Sequence, residues 1–170
     1  MITIRYADQP DINALSSLAR LCFSDTFGHL YSKKNLSEHL QTTCSSEFFA
    51  KSLSEDKILL AEDGNQLVGY IKFGEVNLPL QTIPDSAKEI QRLYIHPQFK
   101  GNGIGRNLMQ HALNHSTLKT SKHLYLSVYE GNIKAQNFYK KYEFSIIGEY
   151  NYYVGSHIDR EFIMHKKNTD

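Results

Sequence analysis

The most constraining stretch of this sequence is YIHPQFKGNGIGRNLMQHAL, from Tyr94 to Leu113. An apolar run ends at His96-Pro97, and Gly101, Gly103 and Gly105 follow at every second position. A helical pattern then runs to about His115, with Ile104, Leu108, Ala112 and Leu113 on one side. Glycine is costly to order and brings no side chain to a core. Three of them between a strand and a helix imply that something approaches the backbone closely. A loop that exposes successive N–H groups and feeds a helix N-terminus is an anion cradle, and Lys100 and Arg106 flank this one. The competing explanation is an ordinary glycine-rich turn.

Two familiar phosphate loops fit poorly. A Walker A loop needs Lys-Ser/Thr after its last glycine, whereas Gly105 is followed by Arg106-Asn107. The dinucleotide fingerprint G-x-G-x-x-G fails where Arg106 replaces its third glycine. That fingerprint also normally opens a chain's first βαβ unit, and here strands in hairpin order come before it. What remains is Q/R-x-x-G-x-G/A after a strand, matched by Gln98-Phe99-Lys100-Gly101-Asn102-Gly103.

With 170 residues the chain has the length of one domain, 1–170, with room for a real core. Its 41% apolar and 22% charged residues are those of a soluble globular protein. A net charge of +1 supplies no global field toward nucleic acid or an anionic membrane, so any anion site is local. The N-terminus, MITIRYADQPD, lacks the n- and h-regions of a signal peptide. The run ILLA is far too short to span a bilayer. Two cysteines, Cys22 and Cys44, form no disulfide framework or CxxC metal site. The cytoplasm is the expected location, and neither nucleic acid nor a membrane is an expected partner.

Alternation from Ile2 to Tyr6 predicts a strand. Helical spacing follows from Asp8 through Ile12, Leu15, Leu18, Ala19 and Cys22, with Pro10 tolerated in the first turn. Further helical stretches are expected over Leu36–Leu40 and Glu47–Leu53, with an irregular FSDTFGHLYSKK after the first helix. KILLA and QLVGYIKFGEV flank EDGN, where Asp-Gly predicts a type I′ hairpin turn. Asn77 to Ser86 reads as a loop with Pro79 and Pro84, and KEIQRLYI as the strand before the glycines. HLYLSVY is a strand, NIKAQNFYKKY a helix, and FSIIGEYNYYV with HIDREFIMHK a last strand pair. The order β-α-α-β-β-β-α-β-α-β-β predicts an α/β (α+β) fold, a mixed sheet with helices on both faces.

A second motif gives the glycine loop its context. Asn132, Ala135, Phe138, Tyr139 and Phe144 satisfy N-x-x-A-x-x-F-Y-x-x-x-G-F, with Glu143 where glycine is usual. Together the two motifs resemble the GCN5-related N-acetyltransferases, over about Lys57 to Lys166. FSDTFG, EIQRLYIHPQFKGNGIG, FYKKYEF and YYVG look like the PaiA-type branch, associated with spermidine and spermine N-acetylation. The resemblance implies a central sheet of about seven strands, acetyl-CoA as cosubstrate, no metal, and a small-molecule amine acceptor, a polyamine first. Other amines, such as a protein N-terminus, an amino sugar or a drug, stay open, as does a non-catalytic module that only binds the coenzyme. A monomer or a homodimer is expected.

The resemblance also implies roles. Leu93, Tyr94 and Ile95 offer backbone groups to the pantetheine arm, and Gln98, Lys100, Gly101, Asn102, Gly103, Ile104, Gly105 and Arg106 cradle the pyrophosphate. Asn132, Ala135 and Phe138 contact the coenzyme, and Lys140 or Lys141 reaches a nucleotide phosphate. Tyr139 hydrogen-bonds the departing sulfur. With reference values of about 10 for a phenol and 8.5 for a thiol, complete proton transfer is uphill by roughly 2 kcal/mol, so a strengthening hydrogen bond is the expected role. An amine with a pKa of about 10.4 is neutral in only about one molecule in 10³ at pH 7, a cost of roughly 4 kcal/mol that a base can offset. Glu89, at the start of the strand before the glycines, is the candidate base. The acceptor pocket is expected from Asp25, Phe27 and Tyr31, closed by Glu149, Tyr152 or Tyr153, with aromatic faces attracting the cation.

His111 and His115 stand i, i+4 without the glutamate of H-E-x-x-H or a third ligand, so surface histidines are expected rather than a metal site. The aromatic residues of FYKKYEF, EYNYYV and EFIM lack an accompanying basic stripe, and belong to core and pocket rather than to base stacking.

Overall fold

Seven strands and six helices account for most of residues 1–169, which the structure, a computed structural model, describes. The strands are β1 (Ile2–Tyr6), β2 (Lys57–Asp63), β3 (Gln66–Gly74), β4 (Ala87–Ile95), β5 (His123–Tyr129), β6 (Ser145–Val154) and β7 (His157–Lys167). The helices are α1 (Ile12–Phe27), α2 (Lys33–Thr43), α3 (Ser46–Glu55), α4 (Ile104–Asn114), α5 (Ser116–Lys119) and α6 (Ile133–Lys140). One sheet runs β1-β2-β3-β4-β5-β7-β6, antiparallel except for the parallel pair β4 and β5. It is the mixed α/β sheet that the sequence predicts.

Strand alternation divides the core. On β2, Leu59 and Ala61 pack with Ile104, Leu108 and Met109 of α4. Ile58 and Leu60 point the other way, to Leu15, Leu18 and Cys22 of α1 and Phe49 of α3. Helices α4 to α6 therefore cover one face, and α1 to α3 the other.

Several boundaries differ from expectation. The β2–β3 turn is Gly64-Asn65, not Asp63-Gly64, and Gly64 takes φ +60°. Asp63 stays in the strand, where it pairs with Ile2. Helix α1 continues to Phe27, so Asp25 and Phe27 lie on its last turn and not in an irregular segment. Two serine caps make α2 and α3 separate helices: Ser32 accepts from the Asn35 N–H and Ser45 from the Phe48 N–H. The short α5 went unpredicted; His115 Nδ1 caps it by accepting the Thr117 N–H at 3.1 Å. Among the described residues no helix is long and apolar enough to cross a membrane. Nor does any group of three or more His, Cys, Asp or Glu there have the arrangement to hold a metal ion.

Candidate active site

The site begins where two parallel strands part. β4 and β5 pair only through Ala87, Lys88 and Glu89 against His123, Leu124 and Tyr125. Farther along, β4 still pairs with β3 as far as Ile95, and β5 with β7 as far as Tyr129. Each strand is left with an unpaired edge facing the gap. The parting coincides with a bulge: Phe73 opposes Ile90 and Lys72 opposes Arg92, so Gln91 is the extra residue. A bulge bends its strand and shifts which side chains face which way. Leu93 and Ile95 pack toward α4, and Tyr94 toward the α1–α3 side.

A cavity of about 590 Å³ passes through this gap and is lined from both faces of the sheet. On the α4 side lie the glycine loop and α6. Gly101 and Gly103 adopt φ +87° and +78°, and a Cβ on either would meet nothing within 4 Å. Glycine is therefore required by backbone conformation, and the space above the loop stays open. The N–H groups of Gly101 through Arg106 find no acceptor among the described residues; the first backbone bond of the helix is Asn107 N–H to Gly103 O, 3.0 Å. Unpaired donors at the start of a three-turn helix suit a pyrophosphate. Gly101, Gly103, Gly105, Lys100 and Arg106 all line the cavity, as do Leu93, Tyr94 and Ile95.

Helix α6 supplies the next wall. Asn132 accepts the Ala135 N–H at 3.1 Å and so caps the helix. Asn132, Ala135, Phe138 and Tyr139 line the cavity. The Tyr139 ring stands edge-on to Phe138 and Phe144. Its hydroxyl has no hydrogen-bond partner among the described residues, and burial, with Glu161 second, holds its pKa above the ordinary phenol value. It stays a proton donor at neutral pH.

Across the sheet, under α1 and α2, the lining is aromatic and acidic. Phe23, Phe27, Tyr31, His39, Tyr129 and Tyr152 enclose it. Tyr31 donates to Asp159 Oδ2, and His157 Nε2 lies 3.0 Å from Asp159 Oδ1. Tyr152 Oη is 3.4 Å from His39 Nε2, and Phe27 meets Tyr129 edge-on at 6.1 Å. Glu161 lines the same space from β7. Burial raises its pKa to about 7, Asp159 adds to the effect, and the Ser127 hydroxyl pulls it partly back.

The structure does not gather every residue singled out from sequence. Glu89 is buried outside the cavity lining, accepting the Asn77 N–H at 2.7 Å, with burial pushing its pKa to about 7. Asp25 is engaged by Lys100 at 2.7 Å and does not line the pocket. Glu149 sits on the exposed edge strand, 3.5 Å from Arg160, and Tyr153 is 61% exposed; neither lines the cavity. Gln98, Asn102 and Lys141 are exposed outside the lining, and the Ile104 side chain is in the core. Glu161, Ser127, Arg92, His39 and Lys134 line the cavity without having been anticipated. Only the two-residue period of β7, which puts Asp159 and Glu161 on one face, hinted at any of them.

Against models of known families, residues 12–144 match the one described as the acetyltransferase (GNAT) family. An uncharacterised N-acetyltransferase of Lactobacillus delbrueckii subsp. lactis is 25% identical over 177 aligned residues, 97% of this chain and 96% of that protein. The crystal structure of the PaiA N-acetyltransferase from Thermoplasma acidophilum, in complex with coenzyme A, superposes with a TM-score of 0.78 at 25% identity, covering 99% of each chain. A spermine/spermidine N(1)-acetyltransferase of Bacillus subtilis (strain 168) is 30% identical over 87 residues, 51% of this chain and 57% of that protein.

Proposed function

This chain belongs to the acetyltransferase (GNAT) family, with acetyl-CoA as its cosubstrate, and we propose that its acceptor is a small primary amine bound on the α1–α2 face. The observation that carries this reading is one cavity with Glu161 on one side of the parted strands and the unpartnered Tyr139 hydroxyl on the other.

In this reading the amine enters as a cation between the aromatic walls and the Glu161 carboxylate. Glu161 takes the ammonium proton, and a pKa of about 7 keeps the carboxylate able to do so near neutral pH. The freed lone pair attacks the thioester carbonyl; a C–N bond forms, the C–S bond breaks, and the second proton shed by the nitrogen leaves on the departing sulfur, giving amide and free thiol. Tyr139 donates a hydrogen bond to sulfur as negative charge grows there. The N–H groups of Gly101 to Arg106 hold the pyrophosphate, and the free edge of β4 aligns the pantetheine arm. Of the two carboxylates with raised pKa, Glu161 is the one open to the cavity, so it is assigned the base role in place of Glu89.

Polyamines are supported as acceptors by the PaiA-like motifs, by the Bacillus relative named for spermine and spermidine, and by an aromatic pocket that contains the Glu161 carboxylate. A different amine is favoured by one specific observation, the position of Arg92, taken up below.

The test is thiol release from acetyl-CoA with spermidine, spermine and a panel of other primary amines, comparing the wild type with Tyr139→Phe. Release that requires an amine, with kcat reduced about 10- to 100-fold in the variant and KM for acetyl-CoA nearly unchanged, is the expected result. Tight acetyl-CoA binding with no release for any amine would overturn it in favour of a module that only binds the coenzyme.

A further inference from the structure

The acceptor side of the cavity carries two opposite charges that do not neutralise each other. Glu161 approaches from β7 and Arg92 from β4, and both line the cavity. Arg5 and Arg160 each hold two carboxylates. Arg92, among the described residues, holds none; the polar group beside its guanidinium is the Tyr70 hydroxyl. The guanidinium lies over aromatic rings, with its central carbon 4.3 Å from the Phe48 ring centre and 5.8 Å from that of Phe49.

Lys72 shares the Phe48 ring with Arg92 but is paired with Asp56 at 2.8 Å, and Tyr70, Tyr94 and His39 around the guanidinium are uncharged at neutral pH. Burial raises the pKa of Tyr70 and Tyr94, and burial followed by Arg92 itself lowers His39 to about 4. The buried Tyr70 hydroxyl lies beside the guanidinium and has no other partner among the described residues. A half-buried cation with no carboxylate of its own is costly unless a ligand completes its shell. The Phe48 ring supports the guanidinium at 4.3 Å, and a planar fork of donors matches a carboxylate in two-point contact.

We infer that Arg92 receives a carboxylate of the acceptor, so that the amine acetylated here belongs to a molecule of amino-acid type, with its ammonium at Glu161 and its anion at Arg92. This rests on the reading of the cavity as an amine acceptor site. It also separates acceptors within that reading. The second ammonium of a polyamine would face a like charge at Arg92, whereas a carboxylate in the same place removes an uncompensated one.

The experiment compares amino acids with the amines left when their carboxylate is removed: lysine with cadaverine, ornithine with putrescine, phenylalanine with phenethylamine, and spermidine alongside. In the wild type, kcat/KM from thiol release is expected to favour the carboxylate-bearing member of a pair at least tenfold. Arg92→Gln should collapse that ratio toward one, through KM rather than kcat, and Arg92→Lys should restore part of it. A wild-type ratio near one, or spermidine as the best acceptor, would overturn the inference, as would an unchanged ratio in Arg92→Gln; Arg92 is then a packing cation on Phe48. Should no acceptor release thiol, acetyl transfer to small amines is what fails. Calorimetric titration with lysine against cadaverine in the presence of coenzyme A then decides Arg92 by itself, since anion recognition needs no turnover. Arg92-dependent preference for lysine supports the inference, and equal binding overturns it.

Discussion

Lys100 Nζ and Asp25 Oδ2 lie 2.7 Å apart, an ion pair that ties the glycine loop to the last turn of α1. The same pair holds Asp25, expected at the acceptor pocket, away from the cavity lining. It also places the loop's lysine under competition, because a bound pyrophosphate would draw the same ammonium.

The two side chains are 41% and 42% exposed, so water and salt screen the pair and it is worth at most about 1 kcal/mol. Asp25→Asn is therefore predicted to leave stability nearly unchanged and to tighten coenzyme A binding by up to about threefold at low ionic strength. Lys100→Ala should weaken it. Calorimetry at low and high salt measures both effects. Unchanged affinity in both variants would remove Lys100 from the phosphate site.

Proton removal by Glu161 predicts an acid limb in the pH–rate profile. The base must be ionised, so kcat/KM should rise with pH through about 7. Glu161→Gln is expected to lower kcat by about 100-fold and to abolish that limb. Glu89→Gln should keep the limb. If the limb disappears with Glu89→Gln instead, the base is Glu89 acting from outside the cavity.

Glu89 itself makes a stability prediction. Its folded-state pKa is raised from 4.5 to about 7, mainly by burial. A raised carboxyl pKa favours the folded state fully below the unfolded value, and that contribution is lost as pH rises from about 4.5 through about 7. Ionised Glu89 then disfavours the fold by something on the order of 3 kcal/mol. Glu89→Gln keeps an oxygen for the Asn77 N–H and removes the charge, so it should raise the melting temperature at pH 8 and change it little at pH 4.5. Melts across that range decide the matter; equal shifts at both ends would contradict it.

Glu143 adopts φ +69° after α6, the left-handed conformation usual for the glycine it replaces in the motif. An L side chain there costs about 1 kcal/mol relative to glycine. The ion pair it makes with Lys166, at 3.4 Å, involves an 83% exposed carboxylate and offsets little of that. Glu143→Gly is predicted to stabilise the protein by about 0.5–1 kcal/mol in urea unfolding without affecting thiol release.

Features written in contiguous residues were legible from the outset. The loop from Gln98 to Gly103, the α6 motif from Asn132, the hairpin of β2 and β3 and the layered sheet all follow from short-range periodicity and glycine placement. A helix N-terminus with free N–H groups is specified by roughly ten neighbouring residues, and those residues are in the chain's order. Even Glu143 was visible as a departure, although its left-handed backbone emerged only with the fold.

The acceptor side had no such local signature. Glu89 and Glu161 are both acids on strands, and nothing adjacent in the chain says which one opens into the cavity. That choice depends on β4 losing β5 after Glu89, on the extra residue at Gln91, and on β7 lying between β5 and β6. Asp25 was legible as an acid near a pocket but not as Lys100's partner, 75 residues away. The sequence by itself determined the family and the glycine loop that opens α4, because short stretches specify turns and helix ends. The tertiary structure alone decided which charges line the cavity, because strand register and pairing between distant segments set the face on which each side chain emerges.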